Sequence, residues 1–328
     1  MNNILFFVST IISALITWLI VPKIRDIGLR FKLIDIPDER KQHRKPIVRL
    51  GGIAIFIGFV ISYLVLIGLG NDYLSYQLVD NRMLVMIVGA SLFFVLGLTD
   101  DLINLSPIKR LFFQFLIASF IVSQGIIFKS LNFSFYKEII PSFSINQSIG
   151  FLFTLFWIVA ITNALNWIDG LDGLAAGITI ITCTGFFILG ILNQDLYSCF
   201  LSCITIGSCI GFLQYNRHPA LILMGDGGSY FLGFLISCLG ILVNFNSNKA
   251  YTTSLFIGTF LFILLFLGDM IFVIARRIIK GKSPFSPDRN HLHHRILRKG
   301  FSHRKTVYLI YLINFIFVMV GVFISIQN

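Results

Sequence analysis

The chain reads as an all-α, polytopic membrane protein with ten transmembrane helices and both termini outside. Three observations predict this. Of its 328 residues, 56% are hydrophobic and 12% charged, about half the charged share of a soluble domain. Thirty-five are Phe, a lipid-facing excess. The apolar residues also fall in long continuous runs, not in the alternation over about 10 residues that marks a membrane barrel strand.

In chain order the runs lie at 4–22, 51–70, 83–99, 111–128, 149–165, 174–192, 196–214, 229–245, 251–275 and 307–326. Each is close to the ~20 residues that cross a bilayer as a helix. Only Asn-Gln-Asp at 193–195 separates the sixth run from the seventh. The first run is not expected to be a cleaved signal peptide: Met-Asn-Asn is not a basic start, and no small-residue cleavage site follows. Cys183, Cys199, Cys203, Cys209 and Cys238 all lie inside apolar runs, so they read as small core residues.

Charge assigns the sides. Connections 23–49, 100–110, 215–228 and 276–305 carry 22 of the 26 Lys and Arg, and the alternate connections carry Arg82, Lys129, Lys137 and Lys249. Basic residues flank spans on the cytoplasmic side. The expected arrangement is one membrane domain, 1–328, with cytoplasmic loops at 23–50, 100–110, 163–173, 215–228 and 276–306. Topology accounts for the net charge of +11, so nucleic-acid binding is not expected. Most of the acidic residues fall on the same basic side, which suits an anionic substrate assisted by a cation.

Four clusters carry chemistry. The first is Asp100–Asp101 at the exit of the third run. Adjacent carboxylates repel unless a cation or shared proton relieves them, and Mg²⁺ takes carboxylates together with substrate phosphates. The second is Asn163, Asn166, Asp169 and Asp172, each three apart and so neighbouring on a helix surface. Gly170 and Gly173 loosen the turn among them, and the Asn amides suit a base or sugar. Capping of the next helix by Asp172 explains one residue of the four. The third is Asp226 among Gly225, Gly227 and Gly228, with Asn216 ten residues before. That pattern is expected to open a helix whose backbone N–H groups face phosphate. The fourth is His291, His293 and His294 with Arg289 and Arg295. Their spacing suits three ligands of one tetrahedral zinc poorly, whereas imidazoles can donate to phosphate oxygens.

Together these motifs resemble the polyprenyl-phosphate N-acetylhexosamine-1-phosphate transferases (glycosyltransferase family 4), distant relatives of the phospho-N-acetylmuramoyl-pentapeptide transferase. The resemblance runs from Ile34 to His294. The loop SPFSPDRNHLHH and Leu223 before Met-Gly-Asp resemble the branch using a free N-acetylhexosamine. Val48 departs from the Pro that many relatives have before Arg-Leu-Gly-Gly. The resemblance implies transfer of a sugar-1-phosphate, most often GlcNAc-1-phosphate, from a UDP-sugar to undecaprenyl phosphate, releasing UMP. It implies a first membrane step in making a cell-envelope polysaccharide such as O-antigen, common antigen or teichoic acid, in the bacterial inner membrane with the site cytoplasmic. It also implies Mg²⁺, with Mn²⁺ as substitute, held by Asp226. Asp100, Asp101 and Asp169 would be catalytic. Asn163, Asn166, Asp172, Asn216, Arg289, His291, His293 and His294 would bind substrate. Homodimerisation is left open. The rivals are an intramembrane prenyltransferase, which would release pyrophosphate, and a transporter of anionic metabolites, whose polar site would sit near the midplane.

Overall fold

Lipid offers no partner for backbone N–H and C=O groups, so apolar runs of this length satisfy them internally as helices. The computed structural model describes residues 2–35, 46–69, 78–128, 147–245, 253–286 and 290–326. Its long helices are α1 (Asn2–Arg30), α2 (Gly51–Leu69), α3 (Asn81–Ile103), α4 (Pro107–Ser123), α5 (Gln147–Ile168), α6 (Leu174–Leu192), α7 (Leu196–Asn216), α8 (Gly225–Phe245) and α9 (Thr253–Ile279). A short helix, α10 (Leu292–Arg298), precedes the last long one, α11 (His303–Ile326).

Among the described residues, nine helices are long and apolar enough to cross a membrane. The exception among the ten expected spans is α4. It has 17 residues, roughly 26 Å at about 1.5 Å per residue, short of the ~30 Å hydrocarbon core. Its start is set by Ser106, whose hydroxyl accepts from Lys109 N at 3.4 Å, and by Pro107 in the first turn. The Asn-Gln-Asp break does divide two helices: Gln194 adopts φ 55° and Asp195 Oδ1 accepts from Tyr197 N at 3.2 Å, capping α7.

The centre of the bundle is α8, whose whole apolar window is buried. It packs against α3, α5, α2 and α6, while α1 and α7 pair, and α9 and α11 pair. Small residues permit this close packing. At Gly52 an added methyl would strike the Gly228 backbone, and at Gly97 that of Asp226 and Gly227. The ends of α2 and α3 are thereby pressed onto the first turn of α8.

A two-residue antiparallel ladder joins β1 (Ile34–Asp35) to β2 (Ile47–Val48), pairing Ile34 with Val48 and Asp35 with Ile47. Val48 then bonds onward. Its carbonyl accepts from Leu223 N at 2.8 Å, and Gly51 N and Gly52 N donate to Leu223 and Met224 carbonyls at 2.9 and 2.7 Å. This zip sets Arg49 beside Asp226.

Candidate active site

The connections expected to share a face do converge. At one end of the bundle Asp35, Arg49, Asp100, Arg110, Asn166, Asp169, Asp172, Asn216, Asp226 and His294 line a cavity of about 460 Å³.

Asp100 ends α3 with its side chain turned back. Its Oδ1 accepts from Leu105 N at 2.7 Å, and its Oδ2 from Arg110 Nη1 at 2.9 Å. Asp101 is differently employed. Its Oδ1 accepts from Asp226 N and its Oδ2 from Gly227 N, both at 2.9 Å. A carboxylate from α3 thus caps α8, where carboxylates are favoured by the orphan N–H groups and the helix dipole. These are two of the amides expected to face a phosphate, and they are already spoken for.

Asp226 Oδ1 accepts from Arg49 Nη2 at 2.6 Å and from Asn166 Nδ2 at 2.8 Å. Arg49 also reaches Asp101 Oδ1 through Nε at 3.3 Å. Burial opposes the Arg49 charge, but Asp226 and Asp101 more than offset this and hold its pKa above the ordinary value. The Asp100 and Asp226 carboxyls lie within hydrogen-bonding reach of each other. The Asp169 carboxyl is pushed up to about 7 by burial, reinforced by Asp226, Asp101 and Asp172 and opposed by Arg49. Five aspartates therefore line a cavity with two arginines, two of the carboxyls in contact. Such a set is relieved by a shared proton or a cation, and hard oxygen donors suit Mg²⁺.

The four polar residues at 163–172 do not act as one helix face, because α5 ends at Ile168. Asn166 reaches the cavity. Asn163 does not: its Nδ2 donates to Gln114 Oε1 at 2.6 Å and to the Val159 carbonyl at 2.8 Å. Asp172 does not cap α6, whose cap is Gly173 in the left-handed region at φ 80°. Asn216 holds this turn: its Oδ1 accepts from Gly173 N at 3.0 Å while its Nδ2 donates to the Ile222 carbonyl at 2.8 Å.

The histidines divide. His294 lines the cavity. His293 is buried against Gly170, where an added methyl would meet its ring. Burial, with His294 and His291 adding to it, pushes the His293 pKa well below the ordinary value. A neutral His293 brings no positive charge to a diphosphate. His291 pairs through Nδ1 with Asp269 Oδ2 at 2.9 Å and sits edge-on to Trp167. Arg289 lies outside the described residues.

Arg49, Arg110 and Asp269 are further residues in contact with the candidate site residues Asp226, Asp100 and His291. Arg49 stands two residues before the Gly51–Gly52 pair, Arg110 ten after Asp100, and Asp269 is an acid within an apolar run. The last is the one readable signal, since intramembrane acids are costly and mark a partner.

The cavity adjoins a second, apolar one. Arg110, Leu111, Phe115, Phe156, Trp167 and Ile274 are among the residues lining this groove of about 230 Å³. Arg110 lines both.

A multi-pass helical membrane protein with a carboxylate-rich cavity at its helix ends is the class that fold and site define. The sequence profile of Glycosyl transferase family 4 matches residues 83–244. A Bacillus subtilis relative described as a probable undecaprenyl-phosphate N-acetylglucosaminyl 1-phosphate transferase is 37% identical over 316 residues, covering 94% of this chain and 82% of its own. A Mycolicibacterium smegmatis decaprenyl-phosphate N-acetylglucosaminephosphotransferase is 33% identical, covering 92% and 77%. An Escherichia coli K12 undecaprenyl-phosphate alpha-N-acetylglucosaminyl 1-phosphate transferase is 29% identical, covering 98% and 84%. The chain belongs to Glycosyl transferase family 4, and it is a membrane-embedded transferase.

Proposed function

We propose that this chain transfers GlcNAc-1-phosphate from UDP-GlcNAc to undecaprenyl phosphate, releasing UMP. The reaction is Mg²⁺-dependent and lies on the cytoplasmic face of the bacterial inner membrane. It is the first membrane step of a cell-envelope polysaccharide. The observation that carries this reading is the junction at Arg110. One side of that residue is a polar cavity rich in carboxylates, and the other is an apolar groove. A substrate pair in which one member is a soluble polyanion and the other a lipid with a phosphate head requires such a junction.

The roles follow from the contacts. Arg110 meets the acceptor phosphate where groove and cavity join, and its bond to Asp100 holds that carboxylate beside the same phosphate. Asp100 is thus placed to take the acceptor's proton. Asp101 is a positioning residue, because both its oxygens hold the first turn of α8. Asp226 would hold Mg²⁺, which when bound neutralises the diphosphate. Asn166 and Arg49 orient Asp226. Asp169 and His294 face the donor. Phosphoryl transfer needs chiefly positioning and charge neutralisation, and these residues supply both. The names of the relatives and the 22-to-4 charge split support the substrates and the sidedness.

The test is an assay of purified protein with undecaprenyl phosphate and a panel of UDP-sugars, following nucleotide release. UMP formed in proportion to lipid-linked sugar phosphate is expected, fastest with UDP-GlcNAc. Release of pyrophosphate from a prenyl diphosphate, with no UMP from any UDP-sugar, would replace this reading with a prenyltransferase.

A further inference from the structure

We propose that a second cavity, where α7 ends and α11 begins, binds the phosphate headgroup of an anionic membrane lipid. Its volume is about 670 Å³. Asp172 is the one residue that lines both it and the candidate active site. The polar lining offers donors to an anion. The Arg217 guanidinium has no hydrogen bond or ion pair among the described residues. Arg304 comes from the first turn of α11, 86 residues beyond His218, and its Nη2 donates to the His218 carbonyl at 3.2 Å. That bond brings the two arginine-bearing segments together and leaves the other N–H groups of Arg304 for a ligand. The Tyr308 hydroxyl is also without a partner among the described residues.

The one carboxylate in this lining is already occupied. Asp172 Oδ2 accepts from His218 Nδ1 at 2.7 Å and from Ala220 N at 3.2 Å. The backbone N–H of Asp172 donates to His303 Nε2 at 3.3 Å, and the His218 and His303 rings stack at 3.9 Å. These three residues satisfy one another and form a wall of the cavity. Two arginines facing one occupied acid leave the cavity positive, and guanidinium presents paired donors that match phosphate oxygens.

The apolar lining points to a lipid. Leu221 and Tyr308 stand at the cavity and are exposed. In α11 only 28% of the apolar window is buried, so this rim faces acyl chains. Arg304 precedes Tyr308 by four residues, about one helical turn, which sets a charge just outside an interfacial aromatic. A phosphate between Arg217 and Arg304 would leave its acyl chains to run past Leu221 and Tyr308. A soluble anion would gain nothing from that rim. Charge sidedness accounts for basic residues in these connections, but not for two guanidiniums from distant segments on one cavity. The bound headgroup would tie the 217–220 connection to α11, whose Tyr311 hydroxyl donates to the Gly173 carbonyl at 2.5 Å. The site holds whether or not the chain transfers a sugar phosphate.

The test uses the full-length protein in detergent, with lipid added back. Native mass spectrometry counts the lipid retained from equal parts of phosphatidylglycerol and phosphatidylcholine. Titration with short-chain phosphatidylglycerol, read by Tm, gives the affinity. The parent is expected to retain phosphatidylglycerol in preference to phosphatidylcholine and to gain Tm from it. Arg217→Gln and Arg304→Gln should each weaken that affinity by about tenfold or more, as loss of a hydrogen bond to a charged group does. Lys280→Gln with Lys282→Gln removes the same charge from exposed residues of another connection and should leave the affinity unchanged. Equal losses in the lysine and arginine variants would reduce the effect to general surface charge and overturn the site. Undiminished retention by the Arg217→Gln, Arg304→Gln double variant would overturn it directly. An equal rise in Tm from glycerol phosphate, with phosphatidylcholine as the only lipid, would give the cavity to a soluble anion and overturn the lipid assignment.

Discussion

Removing the Asp269 carboxylate should release the histidine-bearing helix from the bundle. Asp269 lies in α9, and its Oδ1 accepts from Leu292 N at 2.7 Å while its Oδ2 takes His291 Nδ1 at 2.9 Å. Leu292 is the first residue of α10, so one buried carboxylate both caps that helix and holds the histidine before it. The Asp269 side chain is only 3% exposed, so little water competes. A hydrogen bond to a charged group contributes about 1.5–3 kcal/mol. Two sharing one carboxylate contribute about 3–5 kcal/mol together, since such pairs are not strictly additive. Asp269→Ala should therefore raise the undocked population of α10 by ~10²-fold or more, at about 1.4 kcal/mol per decade. Asp269→Asn keeps one acceptor oxygen for Leu292 and should raise it about tenfold. Hydrogen exchange read by mass spectrometry on peptides covering 290–298 measures this opening directly, with α8 peptides as the unchanged control. kcat/KM for the nucleotide sugar should fall in the same order, because His294 travels with α10. If the 290–298 amides of Asp269→Ala exchange at the parent's rate, Asp269 does not anchor the helix and the reasoning fails.

Asp226→Asn should abolish turnover while leaving the protein inserted and folded, and turnover by the parent should require Mg²⁺; full activity in EDTA would contradict both. Asp100→Asn should lower kcat by about 10²–10⁴-fold, as loss of a general base does. Asp101→Asn should lower Tm, because its amide turns an N–H toward an amide of α8; a Tm equal to the parent's would show that Asp101 is no cap. Asp169 binds a proton more tightly in the folded chain, at about 7 against the ordinary 3.8, so the folded state holds more proton between those values. Its contribution makes stability fall as pH rises from about 4 through 7. Ionised Asp169 should appear as a rising limb of kcat/KM near pH 7, and both effects should vanish in Asp169→Asn, as chemical denaturation and pH-rate profiles can check. His294→Ala should weaken UDP-sugar use by about 1.5–3 kcal/mol. Asn163→Ala should lower Tm with an unchanged KM for the donor; a raised KM would return Asn163 to the binding site.

Apolar run length and charge asymmetry were enough to read the helices, because lipid thickness and the need to satisfy every backbone group admit almost no other solution for such runs. The acidic clusters were legible for a related reason. Asp100, Asp169 and Asp226 sit at the ends of apolar runs, where a solvated loop needs no such set, and those ends meet in one cavity. Which partner each carboxylate meets was decided only by the packing. Asp100 and Asp101 are adjacent in sequence, yet a rotation of about 100° per residue turns one toward Arg110 and the other onto the start of α8. Even spacing at 163–172 suggested one surface, but the helix stops at Ile168, leaving Asn163 to pair with Gln114 and Asp172 with His218. Arg49 and Asp269 find their partners 177 and 22 residues away, through a backbone zip at 48–52 and a returning loop. His218 looked ordinary because Asp172 and His303 reach it from distant segments. Spacing along the chain reports only neighbours on the same helix or turn, whereas electrostatic partners in this bundle come from the ends of different helices, and helix packing alone brings those ends together.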